Sequence, residues 1–322
     1  MTTTKSNSRL VESSLARPDI HQEWESRYRE SDVRRMQEES LERVIGLVRA
    51  RPGAFVLDVG CGSGFNAIHL ARLGFQVLAV DFSEVVLANA RAHTRTAGFD
   101  DRIDIDNEDL TALSLHDSSA DHVLCWGVLM HIPAVEAAVS ELSRVLRPGG
   151  ALIVCEGNMH ALDELALRVL DRFGRTVSRR RMPAGTERWR QTPAGPLLAR
   201  RADIGWLIRA FEARGLVLEH RIACQLTEAY VYTRSGSRAR RAIQAVNRLW
   251  FRRVRTGRLA SDNFLIFRKG AVGDSGPGYV VHAVVEAVRG VLPGLDVEDA
   301  SAARIDQRDD VHAGDVAHAH RV

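Results

Sequence analysis

The sequence predicts an α/β fold built on a doubly wound, Rossmann-like parallel sheet. Three observations predict it. The run Val56-Leu57-Asp58-Val59-Gly60-Cys61-Gly62-Ser63-Gly64 is an apolar segment that breaks into three alternating glycines, a helix-period segment follows it directly, and a second apolar run, Gln76 to Val80, is closed by Asp81. Strand, glycine turn, helix and acid-tipped strand make one βαβ unit, the repeating block of parallel sheets.

The elements follow in order. Residues 1–50 read as an N-terminal helical or lid segment, in which Met36 to Ala50 is amphipathic with Leu41, Val44, Ile45 and Val48 on one face. Trp24 and Tyr28 lie just before it among charged residues, and either a lid over a ligand or aromatic packing on the sheet accounts for them; Tyr28 is the substrate-contact candidate. Phe55 to Leu57 is a short continuous apolar run of the kind a buried parallel strand shows. The glycines after it let a ligand touch bare backbone. Asn66 to Leu73 then places Ile68, Leu70, Ala71 and Leu73 largely on one face, with Gly74 set to end the helix. The helix amino terminus points its partial positive charge at whatever the turn holds. Asp81 falls seventeen residues after Gly64 at the tip of the second strand, where a carboxylate accepts from both hydroxyls of a ribose. Up to this point the residues say adenosine and no particular chemistry.

Two details separate the adenosine ligands. A nicotinamide or flavin site uses G-x-G-x-x-G, whereas Gly60-Cys61-Gly62-Ser63-Gly64 is G-x-G-x-G and carries Asp58 two residues ahead. An acid beside the turn repels a pyrophosphate and attracts a cation. S-adenosylmethionine has an ammonium, a sulfonium and no phosphate, so Asp58 suits it; a structural acid capping the turn is the other reading.

On these residues the chain resembles the class I S-adenosylmethionine-dependent methyltransferases, in particular the small-molecule group related to the ubiquinone and menaquinone C-methylases. The resemblance runs from about Val56 to Lys269 through five ordered motifs: Asp58 to Gly64, Asp81-Phe82-Ser83, Glu108-Asp109-Leu110, Asp121 to Ile132, and Arg144 to Ile153. It implies a seven-stranded sheet with a reversed last strand, a methyltransferase domain over residues 51–270, and S-adenosyl-L-methionine as cofactor. It also implies roles. Gly60, Cys61, Gly62 and Gly64 would line the methionine part and Asp81 would hold the ribose. Phe82 would pack on the adenine, and Asp109 with the Leu110 amide would meet the adenine edge. Trp126 and Gly127 would follow the fourth strand, where backbone carbonyls receive the cofactor ammonium. Trp126 departs from the smaller or polar residue often found there, and its ring either shapes the acceptor pocket or fills core.

His131 is the catalytic candidate. It lies near the carboxyl end of the fourth strand, where open α/β sheets bind ligands, and an imidazole there takes a proton from a nucleophile, orients the acceptor or serves structure alone. Methyl transfer is an in-line displacement from a good leaving group, so positioning and desolvation supply much of the acceleration even without a base.

After a fifth strand at Ala151 to Cys155, residues 157–201 depart from the core pattern and belong beside the carboxyl ends of strands four and five, where an acceptor binds. Asp203 to Glu212 resumes as a helix, Gly215 to Arg221 as the sixth strand and Ser261 to Lys269 as the seventh, with a second insertion at about residues 223–260. Both insertions are rich in arginine, Arg172 to Arg190 in one and Arg234 to Arg255 in the other, and only two lysines, Lys5 and Lys269, occur in the chain. Solvated helix faces account for much of this. Alternatively, arginines at a pocket mouth clamp an anionic small molecule, with Arg188 the named candidate, or Leu249-Trp250-Phe251 amid arginines rests on an anionic membrane. No RNA-binding motif and no Asn-Pro-Pro-Tyr-type tetrapeptide is found, so a nucleic-acid partner is not expected.

The remaining composition sets bounds. Net charge is only +3 over 322 residues. No apolar run reaches transmembrane length and the polar start, Met1 to Ser8, lacks a signal-peptide core, so a cytoplasmic location is expected. Cys61, Cys125, Cys155 and Cys224 form no C-x-x-C pair and are expected as reduced, buried thiols with no metal site. Residues 271–322 read as a low-complexity tail, whose His312, Asp315, His318 and His320 are compositional. The expected activity is methyl transfer from S-adenosylmethionine to an oxygen or nitrogen of a small molecule, with an anionic acceptor as one option. The alternatives are a membrane-surface enzyme acting on a lipid or lipid-linked sugar, and a cofactor-binding protein without catalysis.

Overall fold

In a computed structural model, the described residues are 17, 21–22, 25–26, 30–171, 179–192, 195–233, 236–254 and 256–270. Their main sheet has seven strands in the order β3-β2-β1-β4-β5-β10-β9. These are β1 (Phe55–Val59), β2 (Gln76–Asp81), β3 (Ile103–Asn107), β4 (Ala120–Trp126), β5 (Leu146–Gly157), β9 (Leu216–Gln225) and β10 (Asp262–Lys269). Strands β1 to β5 pair in parallel, and β10 runs antiparallel to both β5 and β9. The chain thus forms the Rossmann-like methyltransferase sheet with its one reversed strand.

Strand order reverses between β1 and β4, which are adjacent and parallel at the sheet centre. Helices cover the two faces: α1 (Ser31–Val48), α2 (Phe65–Arg72) and α3 (Glu84–Ala97) on one, α4 (Val135–Val145) and α6 (Ile204–Glu212) on the other. The pleat decides which residue faces which layer. Val56 packs with Leu41, Val44 and Leu70, whereas its neighbours Leu57 and Val59 pack with Val139, Leu142 and Phe211. Helix α6 starts where Asp203 accepts the Trp206 amide at 3.0 Å, a side-chain cap in the expected place.

The first insertion has a structure its sequence does not announce. After α5 (Leu162–Asp171), strands β6 (Arg179–Met182), β7 (Gly185–Thr192) and β8 (Gly195–Ala202) form a separate antiparallel sheet. Strand β8 lies on the 3-10 turn Leu129–His131 that follows β4. The second insertion forms a 3-10 turn, Ala229–Tyr232, and α7 (Arg238–Leu249), capped where Ser237 accepts the Arg240 amide at 3.1 Å. Several arginines of these insertions are structural. Arg200 is buried against Glu187 at 2.9 Å, Arg201 joins Glu164, Glu228 and Asp262, and Arg240 pairs with Glu30 while its guanidinium lies over the Tyr230 ring. Arg238 and Arg241 on the outer face of α7 are exposed, the solvated helix face expected.

All four cysteines are buried and none is disulfide-bonded. Among the described residues no helix is long and apolar enough to cross a membrane, and no group of His, Cys, Asp and Glu is arranged to hold a metal ion. Residues 271–322, with the histidines at the end, lie outside the described residues.

Candidate active site

The site is built at the carboxyl ends of the parallel strands. Strand β1 leads into Gly60, whose φ of +66° and position against Val128 exclude a side chain: a Cβ there would lie 2.4 Å from a Val128 methyl. Gly62 and Gly64 also hold positive φ, and the latter opens α2. The turn is tied to the second strand. Cys61 donates its amide to the Val80 carbonyl at 2.9 Å, and the Gly62 amide donates to Asp81 Oδ2 at 3.1 Å.

Asp81 is fixed by a second amide, from Ser83, at 3.0 Å on its Oδ1. Each oxygen keeps a further lone pair for a ribose hydroxyl. Burial pushes the carboxyl up from its ordinary value, while the Ser83 and Gly62 amides pull it down. Phe82 follows on the cavity wall, its carbonyl held by Asn107 Nδ2 at 2.9 Å. Asp109 and Leu110 also line the wall, and Asp109 Oδ1 accepts from both the amide and the hydroxyl of Thr111 at 2.8 Å, which shapes the loop after β3.

Asp58 sits deeper. It is buried, does not line the cavity, and faces the Ala67 amide at the start of α2; burial together with the nearby Asp81 pushes it up to about 7. Its Oδ2 has no hydrogen-bond partner. Burial likewise pushes the Cys61 thiol well above its usual range, so this sulfur lines the site as a thiol.

The described part of the N-terminal segment closes over the glycine turn. Ser63 donates its hydroxyl to Glu25 at 3.1 Å, and His21 Nε2 lies 3.2 Å from the Ser83 hydroxyl. Tyr28, the residue singled out from this segment, lies outside the described residues. His21 and Glu25 were missed because isolated polar residues before a helix carry no periodic signal.

The other half of the site belongs to β4, β5 and the insertions. Trp126 closes β4, stacks edge-on against Phe264 at 4.8 Å and also lines the cavity, so one ring serves core and wall. Gly127, with φ of +69°, donates its amide to the Cys155 carbonyl at 2.8 Å. The turn that follows carries His131, whose Nδ1 donates to the Leu198 carbonyl of β8 at 2.6 Å. A carbonyl only accepts, so in the neutral ring Nδ1 carries the proton and Nε2 is the basic nitrogen. This turn is held from two further sides. Its Leu129 amide donates to Glu156 Oε1 at 2.8 Å, and Arg200 donates to the Leu129 and Ile132 carbonyls at 3.1 and 2.9 Å. Arg188 does not line the cavity; its guanidinium pairs with the buried Glu164.

Glu156 is the main residue the sequence reading missed. It stands at the tip of β5 as Asp81 does at the tip of β2, and the same signal, an acid closing an apolar run, marks both. Burial pushes its carboxyl up to about 8. Gln225 and Asp262 stand beside it on β9 and β10, where no local pattern brings them together.

Turn, acid-tipped strand and far wall enclose one cavity of ≈ 1100 Å³. Single small-molecule sites span about 300–1000 Å³, so this space stands at the upper end of that range. A Rossmann-like sheet with a reversed strand, a G-x-G-x-G turn without a phosphate cradle, and an acid for the ribose define the class I S-adenosylmethionine-dependent methyltransferases.

Comparison with known proteins agrees. Residues 57–154 match the family model described as "Methyltransferase domain". The chain is 36% identical over 117 residues to 24-methylenesterol C-methyltransferase 2 of Oryza sativa subsp. japonica, covering 36% of this chain and 32% of the relative. It is 35% identical over 143 residues to a ubiquinone biosynthesis O-methyltransferase of Xanthomonas oryzae pv. oryzae, covering 43% and 56%. The match thus spans about half or less of these relatives' length. The crystal structure of magnesium protoporphyrin IX methyltransferase from Synechocystis PCC 6803 with bound SAH shares the fold, with a TM-score of 0.55 at 16% identity over 81% of this chain and 100% of that one. The chain therefore carries a class I methyltransferase domain, and its cofactor is S-adenosylmethionine.

Proposed function

We propose that this protein transfers a methyl group from S-adenosylmethionine to an oxygen or nitrogen of a small molecule. The observation that carries the reading is the single cavity, which runs from Asp81 and the glycine turn past Trp126 and Gly127 to a wall of His131, Glu156, Leu197, Ala199 and Gln225. A protein that only held the cofactor would have no use for the second half. Asp81 takes the ribose hydroxyls, Phe82 and Leu110 the adenine, and the Gly60–Gly64 turn the methionine part. His131 meets the acceptor from a turn fixed at Leu129, His131 and Ile132, and the methyl passes in line from sulfur to acceptor. Alignment and exclusion of water supply the acceleration.

Asp58 acts from behind the turn, where it is buried against the Ala67 amide of α2. The one arginine among the described wall residues, Arg240, is already paired with Glu30, so the wall supports an uncharged or cationic acceptor better than an anionic one. Calorimetric titration with S-adenosylhomocysteine, NAD and NADP tests the cofactor half. Micromolar binding of the first alone is expected, and tight NAD binding would overturn the reading.

A second reading, a lipid acceptor met at an anionic membrane, is favoured by one surface. Val246, Leu249 and Val254 are exposed at 47%, 60% and 48% beside the exposed Arg252 and Arg253. Sedimentation with phosphatidylglycerol vesicles tests it, and loss of binding in Leu249→Asp is the expected outcome.

A further inference from the structure

The first insertion reaches the site through one strand. Along β8, Leu197 and Ala199 line the cavity, while Leu198 and Arg200 hold the turn that carries His131. The Leu198 carbonyl accepts from His131 Nδ1 at 2.6 Å. Arg200 is 3% exposed, and its Nη1 donates to the two carbonyls that bracket His131, Leu129 at 3.1 Å and Ile132 at 2.9 Å. Its Nη2 donates to Glu187 Oε1 at 2.9 Å, and Glu187 stands directly opposite on β7, so strand pairing itself aims the guanidinium. Only a planar fork of fixed N–H groups reaches two carbonyls and a carboxylate at once. The Leu129 amide is held separately by Glu156, so the turn has one anchor in the main sheet and three in the insertion. The ring chemistry follows from these anchors. A carbonyl only accepts, so Leu198 puts the neutral ring's proton on Nδ1 and the basic lone pair on Nε2, the reverse of the tautomer that a histidine side chain prefers in water.

We propose that Arg200 is a positioning residue for methyl transfer: by holding the Leu129 and Ile132 carbonyls against β8 it keeps His131 Nδ1 on Leu198, and so makes Nε2 the basic nitrogen of a ring that lines the cavity. This rests on the methyltransferase reading above and names a residue on which its acceptor half depends. The insertion sheet then sets the protonation pattern of a side chain that lies far from it in sequence. Lysine in place of Arg200 keeps a positive charge against Glu187, but a point charge on a flexible stem does not span both carbonyls. The turn is then released from β8, and His131 returns toward the Nε2–H tautomer, whose lone pair lies on the wrong nitrogen.

The test reads the ring directly. The full chain, isotope-labelled at the histidine nitrogens, is followed by long-range proton–nitrogen correlation spectra at mildly alkaline pH with and without S-adenosylhomocysteine, and the His131 signals are assigned by their loss in His131→Ala. In the parent the Nδ1–H form is expected to exceed the Nε2–H form by about threefold to tenfold, what one hydrogen bond supports. Arg200→Lys is expected to lower that ratio by about threefold or more while S-adenosylhomocysteine affinity stays within about twofold. Arg188→Lys, which alters another ion pair of the same sheet, is expected to leave the ratio as in the parent. If Arg200→Lys does not fold, Arg200→Met combined with Glu187→Met removes both charges together and is expected to lower the ratio likewise. A parent ring in the Nε2–H form overturns the proposal, as does a ratio unmoved in the Arg200 variant or one that falls equally in Arg188→Lys. Failure of both Arg200 proteins to fold also overturns it, since the residue then serves the fold alone. Absence of S-adenosylhomocysteine binding in the parent instead overturns the methyltransferase reading, and the tautomer still decides whether Arg200 holds the ring.

Discussion

Replacing Gly60 by alanine tests a position in the site where no side chain fits. The added Cβ meets Val128 methyls at 2.4 and 2.9 Å, and the backbone there has φ of +66°. Two separable costs follow: about 1–2 kcal/mol for a side chain in the left-handed region and about 1–3 kcal/mol for overpacking. Their sum, about 2–5 kcal/mol, corresponds to a fall in Tm of roughly 4–20 °C for a domain of this size. Val128 precedes the His131 turn, so the clash reaches the acceptor half as well as the cofactor turn. Thermal unfolding of Gly60→Ala and of Gly60→Ala with Val128→Ala separates the costs: the second change removes the methyls in the way and is expected to restore the overpacking share, leaving the backbone share. S-adenosylhomocysteine affinity should follow the same order. A Gly60→Ala protein that melts and binds as the parent does would refute the geometry, and a double variant no better than the single would refute the assignment of the clash to Val128.

Three other outcomes are expected. Asp81→Ala removes the carboxylate that organises the Gly62 and Ser83 amides and that is proposed to take the ribose hydroxyls, and calorimetry should show S-adenosylhomocysteine affinity down by about tenfold to a hundredfold, the loss of a charged hydrogen bond; unchanged affinity would remove adenosine from this position. His131→Ala should leave that affinity within about twofold and lower turnover by about tenfold to a hundredfold through lost alignment, so full turnover at every pH would take His131 out of the reacting centre. Asp58, Glu156 and Asp262 have carboxyls raised to about 7, 8 and 7, so between about pH 4 and pH 8 the folded chain holds protons that the unfolded chain has released. Stability of the cofactor-free protein therefore falls as pH rises through that window, and Tm measured across it should fall less steeply in Asp58→Asn; a Tm that rises over the same range would contradict the burial of these groups.

The cofactor half was legible in the sequence because its signals are local. Strand β1, the glycine turn, α2 and Asp81 lie within residues 55–81, and each is set by near neighbours: an apolar run, positive-φ glycines, a helical period, an acid at a strand tip. Strands β9 and β10 were legible for the same reason, with ends displaced by a few residues because β9 continues to Gln225. The acceptor half was less legible. Strands β6 to β8 are held by pairing between residues that include Arg179, Arg188 and Ala199, and a run such as Arg179-Arg180-Arg181-Met182 shows no alternation to betray a strand. Arg200 and Arg201 read as two more surface cations until distant carboxylates are brought against them. Glu156 alone could have been found by the rule that found Asp81.

The reversal of strand order between β1 and β4 divides labour along the chain. On the reading proposed above, the residues for the nucleoside are encoded before it, and most of those for the acceptor after it, on β5, β8, β9 and β10. The two are joined through the parallel pairing of β1 with β4 and, at the strand ends, by Val128 lying against Gly60. Such an arrangement separates what must stay constant from what can drift: substitutions downstream of β4 can retune which molecule is modified while the donor grip is left untouched. A chimera that exchanges the segment after residue 155 between two chains of this fold should therefore carry acceptor preference with the downstream piece and donor affinity with the upstream one.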